Sequence, residues 1–131
     1  MPVVLCLDLV PGRFAVCRLG AGEPIPPWAT RAAWFSVTRT GAELSVICPA
    51  SDVPAGVRAE GPWRAFTVRG PLDFDLKGVV ASLAVPLADA GISVFVIATY
   101  DTDHLLVREP DVEPARAALA RAGHTVAAAG Q

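Results

Sequence analysis

The chain has 131 residues, 53% of them hydrophobic and 18% charged, and a formal net charge of −2. That length suits one compact domain or two very small ones, and so apolar a composition requires a buried core and excludes a disordered chain. Eleven Lys and Arg stand against thirteen Asp and Glu, with the arginines scattered, which excludes a basic surface for nucleic acid or an anionic membrane.

The first segment, Val3-Val4-Leu5-Cys6-Leu7, has no basic lead-in and is interrupted by Asp8, so it does not read as a signal peptide. No stretch approaches the roughly 18 uninterrupted apolar residues of a membrane-spanning helix. The expectation is a cytoplasmic protein with no membrane partner. Cys6, Cys17 and Cys48 are odd in number, share no CxxC spacing and sit in apolar runs. They read as small buried hydrophobes, with neither a disulfide framework nor a metal site.

Residues 3–10 are extended and are expected at a sheet edge. Behind the Pro11-Gly12 turn, residues 13–19 form a strand. Residues 20–27 are too rich in Gly and Pro for a helix, and residues 27–31 suffice for a single turn. Strands at 34–38 and 44–48 meet at Thr40-Gly41, and Ser51-Asp52-Val53-Pro54 opens at most a very short helix. Gly56, Gly61 and Pro62 punctuate a polar seam, which divides the chain into an N-terminal unit, 1–60, and a C-terminal unit, 61–131.

The C-terminal half is more regular. Apolar and polar residues alternate over 63–69, as in a half-buried strand, before Gly70-Pro71 breaks the run. Leu76, Val79, Val80, Leu83 and Leu87 then recur at helical spacing, with Asp75 as N-cap and Gly91 as a left-handed stop. Pro86 lacks an amide donor and crowds the Ser82 carbonyl, which predicts a kink or a tightened last turn. Strands at 92–98 and 104–108, a helix at 112–122 between Asp111 and Gly123, and a strand at 124–127 complete a βαββαβ order.

The first half repeats this order in worn form. Ser36-Val37 aligns with Ser93-Val94 at an offset of 57, and Asp52-Val53 with Asp111-Val112 at an offset of 59. The fold class is therefore α+β: two tandem ferredoxin-like (βαββαβ) units, the first shortened by loss of its first long helix.

Catalytic motifs are absent from the sequence: it contains no GxSxG elbow, phosphate-binding loop, HExxH helix or dinucleotide fingerprint. His104 reads as an exposed strand-end residue. The chemistry concentrates in Thr99-Tyr100-Asp101-Thr102-Asp103-His104, far more polar than a strand connection requires. A second concentration is Asp73-Phe74-Asp75-Leu76-Lys77-Gly78-Val79. The two aspartates before the helix read as a cap with a solvated neighbour, or as part of a ligand seat. Gly78, placed in the first helical turn, would cost about 1 kcal/mol relative to Ala but lets an anion approach free backbone N–H groups. A carboxylate of a bound amino acid suits that position, with Asp75 or Asp103 taking its amino group. In a β4-β1-β3-β2 sheet these two segments need not meet within one unit, so the seat is expected between paired units.

The run from Ser93 to Val112, the turn Gly70-Pro71-Leu72-Asp73-Phe74-Asp75-Leu76-Lys77-Gly78, and Ser36-Val37-Thr38-Arg39-Thr40 with Glu43-Leu44-Ser45-Val46-Ile47-Cys48-Pro49 resemble the ACT domains of the bacterial relatives of CASTOR-type arginine sensors. The resemblance implies tandem ACT units, no catalytic activity, no cofactor, and an amino acid or related metabolite held at a domain interface. It assigns contact to Asp75, Gly78 and Val79, flanking Leu76 and Lys77, and to Ala98, Thr99, Tyr100 and Asp103. Lys77 departs from the family's usual Thr. The animal sensors carry four ACT units and this chain two, so a homodimer would restore four. A ligand-independent interaction module, using sheet edges and Trp28, Trp34 and Trp63, is the alternative.

Overall fold

A computed structural model describes residues 3–127. It contains eight strands, β1 (Cys6–Leu9), β2 (Phe14–Leu19), β3 (Ser36–Arg39), β4 (Leu44–Pro49), β5 (Arg58–Val68), β6 (Phe95–Ala98), β7 (Asp103–Arg108) and β8 (Thr125–Ala127), and two α-helices, α1 (Val79–Asp89) and α2 (Val112–Arg121). Single 3₁₀ turns occupy Pro27–Thr30, Ala50–Asp52 and Glu109–Asp111. The chain divides into two compact units. One is Gly12–Trp63; the other combines the segment up to Pro11 with everything from Arg64 onward.

In the first unit the strand order is β3-β4-β2-β5, with every pairing antiparallel. This is the ferredoxin-like order with 3₁₀ turns where the helices would stand, because the Gly- and Pro-rich connections cannot sustain longer ones. Ala15, Cys17, Leu44, Val46 and Cys48 face one side and pack against Ala29 and Trp28 of the Pro27–Thr30 turn. Gly61 and Pro62, expected at a seam, lie inside the eleven-residue β5. The β2–β5 register shifts between Phe14 and Val16, and such an irregularity accommodates a residue with no N–H.

In the second unit the order is β8-β1-β5-β7-β6. β1 is not at an edge. It pairs antiparallel with β5 and parallel with β8, separating what would be adjacent strands of a plain βαββαβ unit. Its alternation explains the placement: Leu7 and Leu9 enter the core beside Phe66, Val68, Leu105 and Val107, while Asp8 points the other way. There Asp8 accepts two hydrogen bonds from the Arg69 guanidinium, at 2.9 and 2.8 Å.

Val79, Leu83 and Leu87 of α1 and Val112, Ala115 and Leu119 of α2 cover this apolar face. Both helices end in a doubly bonded turn, with Gly91 and Gly123 at positive φ. Ile92 N–H reaches Leu87 C=O and His124 N–H reaches Leu119 C=O. Pro86 does not break α1. The helix runs on to Asp89 with the Ala90 N–H shared between the Pro86 and Leu87 carbonyls, the tightened turn expected of a proline there.

Cys17 and Cys48 are buried, but Cys6 is exposed, because its position on β1 faces away from the helices. Among the described residues, no helix is long and apolar enough to cross a membrane.

Candidate functional site: a cleft at the head of helix α1

The segment between β5 and α1 and the turn between β6 and β7 pack directly together within the second unit. The Leu72 N–H donates to the Asp101 carbonyl at 2.6 Å, and the Thr102 hydroxyl donates to the Val68 carbonyl at 2.7 Å. A Cβ on Gly70 would stand 2.9 Å from the Asp101 oxygen, so only glycine permits this approach. The expectation that the two segments need not meet within one unit is therefore corrected. β7 is the neighbour of β5, which brings the end of β5 to the start of β7 and the β6–β7 turn over it.

Between them opens a cleft of about 390 Å³. Leu76, Gly78, Val79, Ala98, Thr99, Tyr100 and Asp103, all singled out in the sequence, line it. Asp75 and Lys77 do not. Asp75 is exposed and donates its N–H to the Asp73 carboxylate at 2.9 Å, while Leu76 N–H donates to the Asp73 carbonyl. Asp73, not Asp75, thus organises the turn. Lys77 lines a separate groove with Val3, Ser82 and His124. The expected Asp75 N-cap is replaced by Gly78, whose φ of 83° gives a left-handed cap residue. Gly78 accordingly stands ahead of the helix, and no helix-interior glycine penalty arises.

Gly78 carries no side-chain cap, and the first intrahelical bond is Ser82 N–H to Gly78 C=O at 2.9 Å. The N–H groups of Val79, Val80 and Ala81 precede it, at the positive end of the helix dipole. Asp73, Asp101 and Asp103 line the same cleft. Phe74 and Tyr100, both largely exposed, meet edge-to-face at a centroid distance of 4.9 Å. The start of a helix without a side-chain cap and three acidic residues therefore line one opening. Phe74, Asp101 and Thr102 also line the cleft; they were not among the assigned contacts, although their turn-forming segments already stood out in the sequence.

Below the turn, Thr99 holds it closed through N–H and hydroxyl donation to the Thr102 carbonyl at 2.8 and 2.9 Å. His104 is half-buried rather than exposed, with Nδ1 3.0 Å from the Thr67 hydroxyl and Nε2 3.5 Å from that of Thr99. Burial pushes its pKa below the ordinary imidazole value, against a smaller opposing effect of Asp103. Among the described residues, no group of three or more His, Cys, Asp or Glu is arranged to hold a metal ion.

The family model of the ACT domain matches residues 58–121. That segment is an ACT domain. The ACT match covers the cleft, and a second model, of an N-terminal domain, matches residues 12–56. Over 94 residues the chain is 33% identical to the Bos taurus cytosolic arginine sensor for mTORC1 subunit 1, covering 66% of this chain and 29% of that protein. It thus spans less than a third of that relative's length. A protein of known structure from Agobacterium tumefaciens is 40% identical with a TM-score of 0.93, covering 98% of this chain and 96% of the other. The regulatory subunit of aspartate kinase from Thermus flavus shares the ACT-type fold, at 12% identity and a TM-score of 0.60 over 92% of this chain and 97% of its own.

Proposed function

We propose that this chain is a non-catalytic, cytoplasmic regulatory protein that binds an α-amino acid or close relative in the cleft at the head of α1. The observation that carries the reading is the pairing, in one opening, of uncapped N–H groups at Val79, Val80 and Ala81 with the carboxylates of Asp103, Asp101 and Asp73. The ligand carboxylate docks on the helix end and its ammonium on Asp103. Three acidic side chains and no cationic one in the lining favour ligands without an acidic side chain. The arginine-sensor and regulatory-subunit relatives support a sensing role rather than catalysis.

A second copy of the chain completes the site in this reading. β6 pairs with β7 on one side, and its sequence, Phe95-Val96-Ile97-Ala98, contains no charge or proline to discourage pairing on the other. Phe95, Val96, Val80 and Val85 are exposed, as are Phe74, Leu76 and Tyr100 of the cleft rim. An apolar surface of this kind marks an association face. The same strip supports the alternative, a dimerisation module that needs no ligand. Trp63 is buried and Trp28 and Trp34 are half-buried, so the tryptophans expose less of their surface than this strip does.

A thermal-shift screen over the amino acids tests the reading. A ligand at 100 times its dissociation constant stabilises the folded state by about 2.7 kcal/mol, and Asp103→Ala should remove that shift while the dimer persists. No shift with any amino acid, in a chain that still dimerises, favours the module.

A further inference from the structure

His124 sits 4% exposed, at the junction of α2 and β8, and touches neither the cleft nor its rim. Its Nδ1 lies 3.1 Å from the backbone N–H of Leu5, which can only donate. Its Nε2 lies 2.8 Å from the carbonyl of Ser82, which can only accept. These two partners leave one possible state: a neutral ring with the proton on Nε2 and a lone pair on Nδ1.

The Ser82 carbonyl is available because of Pro86. In an uninterrupted helix it would accept the N–H of the residue four positions on, and that residue is proline. His124 supplies the missing donor from outside the helix. One imidazole therefore joins the middle of α1, the start of β8 and the residue leading into β1. Next to that contact, Thr125 N–H donates to the Leu5 carbonyl at 2.9 Å, so Leu5 is held through both its backbone groups.

We propose that His124 is a proton-operated latch on the N-terminal strand: neutral, it secures Leu5 to α1, and protonated, it releases the Leu5 end while keeping Ser82. An imidazolium has two N–H donors and no acceptor, so no rotation of the ring can satisfy the Leu5 N–H. The Nε2–H bond to Ser82 survives and gains charge assistance. Release frays the leading end of β1, the strand threaded between β5 and β8.

The charged surroundings do not offer the imidazolium an anion in its own groove. Lys77, ahead of α1, is the charged residue lining it, among the described residues. Asp89 of α1 and Arg121 of α2 line the adjacent groove, one of each sign, and the charged side chain on β1, Asp8, is held by Arg69. The thiol of Cys6 follows Leu5 and carries no charge when protonated.

Nuclear magnetic resonance on the unmodified chain tests this directly, because each ring and amide is read separately and neither amino-acid binding nor a folded variant is required. In its neutral form the His124 ring should be the Nε2–H tautomer, and on acidification any protonation of the ring should track a fall of about tenfold or more in the protection of the Leu5 amide, corrected for intrinsic exchange. Ser82 and its neighbours in α1 should keep theirs. The Nδ1–H tautomer, a ring that stays neutral until global unfolding, or protonation that leaves Leu5 unchanged would each overturn the proposal. Pro86→Ala adds an independent readout. It gives Ser82 an intrahelical donor, and the same acid-dependent loss at Leu5 should remain, because the release occurs at Nδ1.

Discussion

At the scale of single residues, the three cysteines illustrate how neighbours set reactivity. Burial pushes the Cys48 thiol up to about 11, with Cys17 and Asp52 adding to the effect, and burial raises Cys17 as well. Thiolates are the reactive form, so an aromatic disulfide reagent at neutral pH should modify Cys6 alone in the folded chain and all three thiols in denaturant. Rapid native labelling of Cys17 or Cys48 would mean that the β2–β4 face opens readily. Asp8 and His104 make stability depend on pH. The Arg69 guanidinium hydrogen-bonded to Asp8 holds that carboxyl below its usual range. The stability it contributes is complete above the unfolded value of about 3.9 and is lost as pH falls through the lower folded value. The lowered pKa of His104 has the same sign: its contribution is complete above about pH 6.5 and is lost below it as the ring charges. Replacing His104 by Asn should flatten that limb of a urea-midpoint-against-pH profile.

At the scale of elements, α1 joins the core to the proposed site. Leu83 is fully buried among β-strand and α2 side chains, and Leu83→Ala should cost about 2–5 kcal/mol in chemical denaturation. Gly78→Ala acts on the other end. A left-handed φ of 83° costs a residue with a Cβ about 1–2 kcal/mol, and relief of that strain would turn the amides of Val79–Ala81 away from the cleft. A stability loss of that size, with weakened ligand response, is the expected result. Much of this element was legible beforehand: the 3.6-residue spacing of Val79, Leu83 and Leu87 and the glycine stop both hold. Its start was not, because Asp75 and Gly78 are both acceptable helix beginnings by sequence. The choice between them rests on Asp73 closing its own local turn and on Gly70 admitting the Asp101 carbonyl, the latter an approach between residues 31 positions apart.

At the scale of the whole molecule, the α+β class and the repeated ferredoxin-like strand order were readable because each rests on local periodicity and turn residues. The insertion of β1 was hidden for a different reason. Its alternating Leu7, Asp8 and Leu9 suit an edge or a central strand equally, and the pairing that decides between them joins residues up to 119 positions apart. A similar ambiguity surrounds β6. Unprotected by charge, it is the proposed contact with a second copy, and Val96→Lys should lower dimer affinity in sedimentation while changing monomer stability by no more than about 0.5 kcal/mol.

The central claim is that the cleft between α1 and the β6–β7 turn takes a zwitterionic ligand, and an amide-resolved titration of the labelled chain with individual amino acids tests it most directly. At least one amino acid should produce saturable shifts at Val79, Val80, Ala81 and Asp103, and Asp103→Asn should weaken that response by about tenfold or more, the worth of one charge-assisted hydrogen bond. Saturable shifts confined to other residues, or none with any amino acid at millimolar concentration, would contradict it.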